Sequence, residues 1–437
     1  MPGWGQLVPE LLAEVQQILV DELNEWKADK DAEQQLNIDK RRRQAMPRHP
    51  LLTATRVNRH WNRVATRQLY SNLYLHKLET IRPLVKALLG NFALIEHIKC
   101  VTIDFKYLNL STQKKAREKE MQRRRKASGF AWSLLNLLNS GRLRHLSIVG
   151  SALEPLPIGV EDWAPPACIT GLKGLDIVER FHATQWVEAA APTVERLKLP
   201  HDISAMPAVQ ALSFPNLKSF CAKPIITVDG AIIKCIKQLG YAATSTSSQV
   251  QLEDLSIGGL ELEPDVIHRI LSRSANTLRR LHLQPQCFPE QLFRKRFSDF
   301  RQKIIDVLPT CLTLEVLELE LNPSLYQNWI PVEEPDAKEK LLELVDALPS
   351  NLQVLVLYAD FTSNKENLTA VAQRILQRDL PNLRRVELPS RNLVYSHHKP
   401  LQVAEEFASL AELFEPRGIV ARFDRRFPEH LPWVFRD

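Results

Sequence analysis

LRRLHL at residues 278–283 and LEVLEL at residues 314–319 share one pattern, with apolar residues at the first, fourth and sixth places. The last three places alternate with a period of two, which is the period of a strand that buries one side. The pattern recurs as LRHLSI at 143, LKGLDI at 172, VERLKL at 194, LKSFCA at 217, LEDLSI at 252, LQVLVL at 352 and LRRVEL at 383, the copy at 217 being the weakest. Turn-forming residues precede several copies: Pro-Thr before 194, Pro-Asn before 217, Asn-Thr before 278, Pro-Ser-Asn before 352 and Pro-Asn before 383. A fixed hexad in nine copies is an internal repeat.

Between the hexads the chain has helical spacing, as in PDVIHRILSRSAN (264–276) and PDAKEKLLELVDALPSN (335–351), with turn residues at the ends. Strand then helix, repeated, requires parallel strands joined by crossovers. Copies follow one another at 22 to 38 residues, a spacing that suits a leucine-rich-repeat solenoid, in which stacked units supply a core that no unit builds alone. A doubly wound α/β domain also alternates strand and helix, but would not repeat one hexad nine times. The expected fold is therefore α/β, with parallel strands on the concave face and helices on the convex face. The uneven spacing places loops or longer helices on the convex or edge side.

The front of the chain is different. Leu7, Leu11, Leu12, Val15, Ile18 and Leu19 form one face of a helix led in by Pro9. Residues 24–50 turn charged, include Lys40 to Arg43, and read as a solvated insert. In LLTATRVNRHWNRVATRQLYSNLYL (51–75), Leu51, Leu52, Val57, Trp61, Val64 and Ala65 share a second helical face, with Leu69, Tyr70, Leu73, Tyr74 and Leu75 continuing from it. CVTIDF at 100 reads as a first strand, residues 111–129 as a basic excursion with eight Lys or Arg and two Glu, and AWSLLNLL as a helix. This gives three parts: 1–80 helical with the insert 24–50, 81–142 connecting, and 143–437 the repeat domain.

Taken together, LVPELLAEVQQIL and LLTATRVNRHWNRVATRQLYSNLYL resemble an F-box. Val8 stands where that motif has proline, Pro9 follows one place later, and the 27-residue insert splits a motif that is otherwise continuous. The resemblance covers about the first 75 residues, and repeats like those behind it often follow F-boxes. It implies a substrate-recognition subunit of a Skp–cullin–F-box ubiquitin ligase. The helices would dock on the Skp adaptor, and through it a cullin-RING ligase, while the repeats hold a target protein. It assigns adaptor contact to Leu7, Pro9, Glu10, Leu11, Leu12, Val15, Leu51, Leu52, Val57, Trp61, Leu69 and Tyr70. Helices this short cannot cover all their apolar residues among themselves, so an exposed patch is left for a partner. Trp61 is either a pin within the helical core or a direct partner contact.

If the Leu and Ile of each hexad point into the core, the residues between them line the concave surface. On it, Arg196, Lys198, Asp254, Arg280, His282, Glu318, Val356 and Tyr358 are the candidate contacts for a protein ligand of mixed charge. Net charge is +6, from 57 basic against 51 acidic residues, too even to argue for nucleic acid, and the runs 40–43 and 123–126 lack interleaved aromatics. The motifs of serine hydrolases, zinc proteases and phosphate loops are missing, so no enzyme, cofactor or metal is expected. The adjacent His397 and His398 would point apart on a strand. Six scattered cysteines without Cys-x-x-Cys read as small buried residues in a reducing compartment. The start of the chain lacks a basic secretory leader, and no apolar run nears the roughly 20 residues of a membrane helix, so an intracellular location, cytoplasmic or nuclear, is expected. The competing reading is a repeat scaffold outside any ligase, in which the F-box-like start only packs against the repeats.

Overall fold

The hexads fold as their alternation requires. The computed structural model describes residues 59–75, 78–104, 129–138, 142–149, 165–177, 184–199, 214–222, 252–258, 264–284, 290–321, 337–359, 365–388 and 409–423. They divide into two compact units between Leu172 and Lys173.

In the first unit, β1 (Asn72–Leu75), β2 (Cys100–Asp104) and β3 (His145–Val149) run parallel in that order. Helices Arg59–Ser71, Leu78–Gly90 and 129–137 and the 3₁₀ turn Phe92–His97 accompany them. Ile81, Leu88, Val101, Ile103, Leu134 and Leu146 are buried. One expectation is corrected here. NLYL, read as the tail of a helix, is strand β1: Leu75 is buried, Tyr74 is exposed, and Lys99 N donates to Ser71 O at 3.0 Å where β2 begins. Edge pairing with CVTID wins over the weak helical preference of an Asn- and Tyr-bearing segment.

The second unit runs β4 (Gly174–Ile177), β5 (Arg196–Leu199), β6 (Ser219–Ala222), β7 (Asp254–Gly258), β8 (Arg280–Gln284), β9 (Val316–Leu321), β10 (Val354–Ala359), β11 (Arg385–Glu387) and β12 (Val420–Arg422). Each is parallel to the one before it, and the register never shifts, so hexad places align from strand to strand. The result is a solenoid-like succession of strands. Helices Thr184–Ala190, Pro264–Ser274, Glu290–Val307, Ala337–Asp346 and Lys365–Gln377 lie in the crossovers. Leu at the first, fourth and sixth places is buried throughout, as at Leu278, Leu281 and Leu283, together with Ile267 and Leu271 of one crossover helix and Leu344 and Val345 of another.

A repeated hydrogen-bond device fixes the start of each strand. The carbonyl of the second hexad residue accepts two successive N–H groups of the next strand. Lys173 O takes Glu195 N and Arg196 N at 2.8 and 2.9 Å, and the same fork recurs up to Gln353 O with Arg384 N and Arg385 N at 2.8 and 3.1 Å. The turn residues ahead of the hexads also have a task. Thr277 and Thr313 donate back to the carbonyls of Leu252 and Leu278, each at 2.9 Å. The longer Asn216 and Asn351 reach Pro192 O at 2.8 Å and Leu312 O at 2.5 Å. Polar turn side chains thus satisfy backbone groups that the strands leave open.

Candidate functional site: the polar strand face

With the first, fourth and sixth places committed to the core, the third and fifth places of each hexad form two rows on the other side of the strands. In the second unit the third-place row runs Gly174, Arg196, Ser219, Asp254, Arg280, Val316, Val354, Arg385. The fifth-place row runs Asp176, Lys198, Cys221, Ser256, His282, Glu318, Val356, Glu387. Side chains one rung apart are neighbours, so the charges on these rows meet one another before they meet solvent.

They do so in matched pairs. Lys198 Nζ lies 3.5 Å from Asp176 Oδ2, Arg280 Nε 3.7 Å from Asp254 Oδ1, and His282 Nε2 3.7 Å from Glu318 Oε1. Arg385 Nε donates to Glu387 Oε1 at 2.7 Å. Burial pushes the Asp254 carboxyl above its ordinary range, and the Arg280 guanidinium beside it opposes that shift. At the centre, Ser256 Oγ is 3.1 Å from His282 Nδ1, which makes a Ser256–His282–Glu318 seam across β7, β8 and β9. Ser256 and His282 are each only 3 % exposed. The buried imidazole hydrogen-bonds Ser256 through Nδ1 and sets Nε2 beside the Glu318 carboxylate, so it touches the strands on either side, and the hydrogen bond offsets part of the cost of its burial. The Ser256 hydroxyl is turned to the imidazole, and the Glu253 and Asp254 N–H groups at the head of its strand are held by Lys218 O at 2.7 and 3.1 Å.

The candidate contact residues fall on this face as follows. Arg196, Lys198, Asp254 and Glu318 are half-buried and Arg280 is exposed, while His282 and Val356 are buried and offer a partner little surface. Tyr358 lies on β10, and its side chain is outside the described residues. Asp176, Ser256 and Glu387, outside that candidate set, complete the contacts, and their fifth place in the hexad is the signal that marks them.

Of the residues assigned to adaptor contact, Leu7, Pro9, Glu10, Leu11, Leu12, Val15, Leu51, Leu52 and Val57 lie outside the described residues, as do the insert 24–50 and residues 111–128. Trp61 sits in helix Arg59–Ser71, with its side chain also outside them; Leu69 and Tyr70 on the same helix are half-buried.

Among the described cysteines, Cys168 and Cys311 are buried, and burial drives their thiols up to about 12 and about 11. Both stay protonated, and Cys168 Sγ donates to Leu135 O at 3.3 Å. Among the described residues, no group of three or more His, Cys, Asp or Glu is arranged to hold a metal, and no helix is long and apolar enough to cross a membrane. No protein-family model matches the chain, and no curated protein matches it.

Proposed function

We propose that the chain is the substrate-recognition subunit of a Skp–cullin–F-box ubiquitin ligase, in which F-box helices bind the Skp adaptor and leucine-rich repeats present a target protein for ubiquitylation. The subunit itself is non-catalytic and needs no cofactor. The observation that supports this best is the order of the chain: an F-box-like segment ending at Leu69-Tyr70 in helix Arg59–Ser71 is followed by hexads that form successive parallel strands with one polar face. The chemistry of that face adds to it. With the imidazole neutral, the two rows carry four cations, Arg196, Lys198, Arg280 and Arg385, and four carboxylates, Asp176, Asp254, Glu318 and Glu387, so the face has no net sign with which to attract a polyanion. It suits a protein surface of mixed polarity, with Val316 and Val354 as an apolar floor.

The test is co-expression of the full chain with a Skp-family adaptor. The expected result is a stable complex through gel filtration, lost on Trp61→Ala, at about 3–5 kcal/mol if Trp61 is a core pin and at least about 2 kcal/mol if it is a hot spot. An intact chain that fails to bind the adaptor overturns the ligase reading and leaves a repeat scaffold that works outside such a complex.

A further inference from the structure

The second hexad place contains a pattern that neither the core nor the polar face uses. From β4 to β11 it reads Lys173, Glu195, Lys218, Glu253, Arg279, Glu315, Gln353, Arg384: the sign alternates at every rung, with one neutral residue before the last. These residues stand side by side, because the carbonyl of each accepts N–H groups from the next. Glu195 receives Lys173 on one carboxylate oxygen at 2.8 Å and Lys218 on the other at 3.5 Å, and Arg279 lies 3.8 Å from Glu315. The hydrogen bond from Lys173, aided by both lysine charges, holds the Glu195 carboxyl below its ordinary range.

Repetition creates a difficulty that this pattern answers. Every hexad offers the same apolar places and the same backbone fork, so neither burial nor main-chain bonding tells a strand which hexad to accept as its neighbour. We infer that the alternating row is a register code that penalises looping out a single repeat. Omitting β5 would set Lys173 against Lys218, and omitting β6 would set Glu195 against Glu253. Any skip of one rung through this stretch replaces an attraction by a like-charge contact at the end of the strand.

The code can be read with one substitution and a native thiol. Residues 176, 198 and 221 occupy one row, so Asp176→Cys and Cys221 stand two strands apart, about 9.6 Å at the usual strand spacing. A disulfide requires a Cα separation below about 7 Å, so this pair closes only in chains that have skipped β5. In full-length Asp176→Cys protein refolded from urea under an oxidising thiol buffer, the 176–221 disulfide is expected in a small share of chains. Adding Lys218→Glu turns the like-charge contact of the skipped state into an attraction to Lys173 and sets a second carboxylate beside Glu195 in the native one, and should raise that share roughly fivefold at low ionic strength, the equivalent of one surface ion pair. Lys218→Gln should raise it less, and 1 M salt should erase the excess. Restoring alternation across 173, 195 and 218 with Lys173→Glu, Glu195→Lys and Lys218→Glu together makes the 173–218 contact of the skipped state repulsive again, and should return the share to its starting level; the 218–253 contact is the same in both states. An unchanged share in Lys218→Glu, an excess indifferent to salt, or a triple variant that stays high would each overturn the inference; the last would mean that the substitutions merely impair folding.

Discussion

Glu195, just ahead of β5, and Asp254, at the head of β7, stand two rungs apart in one sheet, yet their carboxyl groups are displaced in opposite directions. Glu195 stands on the outer edge row between two lysines and is held low; Asp254 stands on the polar face, where desolvation outweighs its arginine and holds it high. The edge row therefore draws modest, salt-sensitive stability from charge, whereas the face spends its charges on neutralising one another and relies on hydrogen bonds such as the Ser256–His282 contact. Electrostatics in this fold is decided by how far a rung's side chain lies from water, more than by which ions are present.

The strongest way to break the contrast is from beneath. Leu317→Ala empties a core place under both rows and should cost about 2–5 kcal/mol in urea unfolding, without regard to salt or pH. His282→Leu attacks the face alone. It leaves the buried Ser256 hydroxyl facing a hydrocarbon, so a loss of about 1–3 kcal/mol, also indifferent to salt, is expected. The finest test compares two acid-to-amide changes across pH. Glu195 has a lowered folded value, so its contribution is present above the ordinary carboxylate range and fades as pH falls through that value; Glu195→Gln should lose a few tenths of a kcal/mol, roughly, at pH 7 and nothing in acid. Asp254 has a raised value, so its contribution is present in acid and lost as pH rises through it. Asp254→Asn should therefore gain on the parent with rising pH, by about 0.5 kcal/mol at most. Parallel pH profiles for the two variants would remove the contrast.

The hexads were legible because their information is local: three apolar places and a turn signal fall within a few residues, and each of the nine copies meets a strand from β3 to β11. β1 and β12 were not, because NLYL and IVARF lack the leading hexad leucines and their edges are defined only by a neighbour far along the chain. Helices at 264 and 337 followed from apolar spacing between turns. On the polar face, alternation identified which residues share a side. The pairing of Lys198 with Asp176 or Arg280 with Asp254 depended on a register no single hexad contains. The alternating edge row was visible in the sequence all along, but acquires meaning only once its members are known to be adjacent.

In the larger unit, every described strand after β4 finds a partner immediately upstream. A chain emerging from the ribosome at about 5–20 residues per second releases one new rung every few seconds, far slower than a strand takes to dock. Assembly can thus advance at the pace of translation, each arrival sheltering the sticky border of its predecessor, with no segment obliged to wait for the carboxyl terminus.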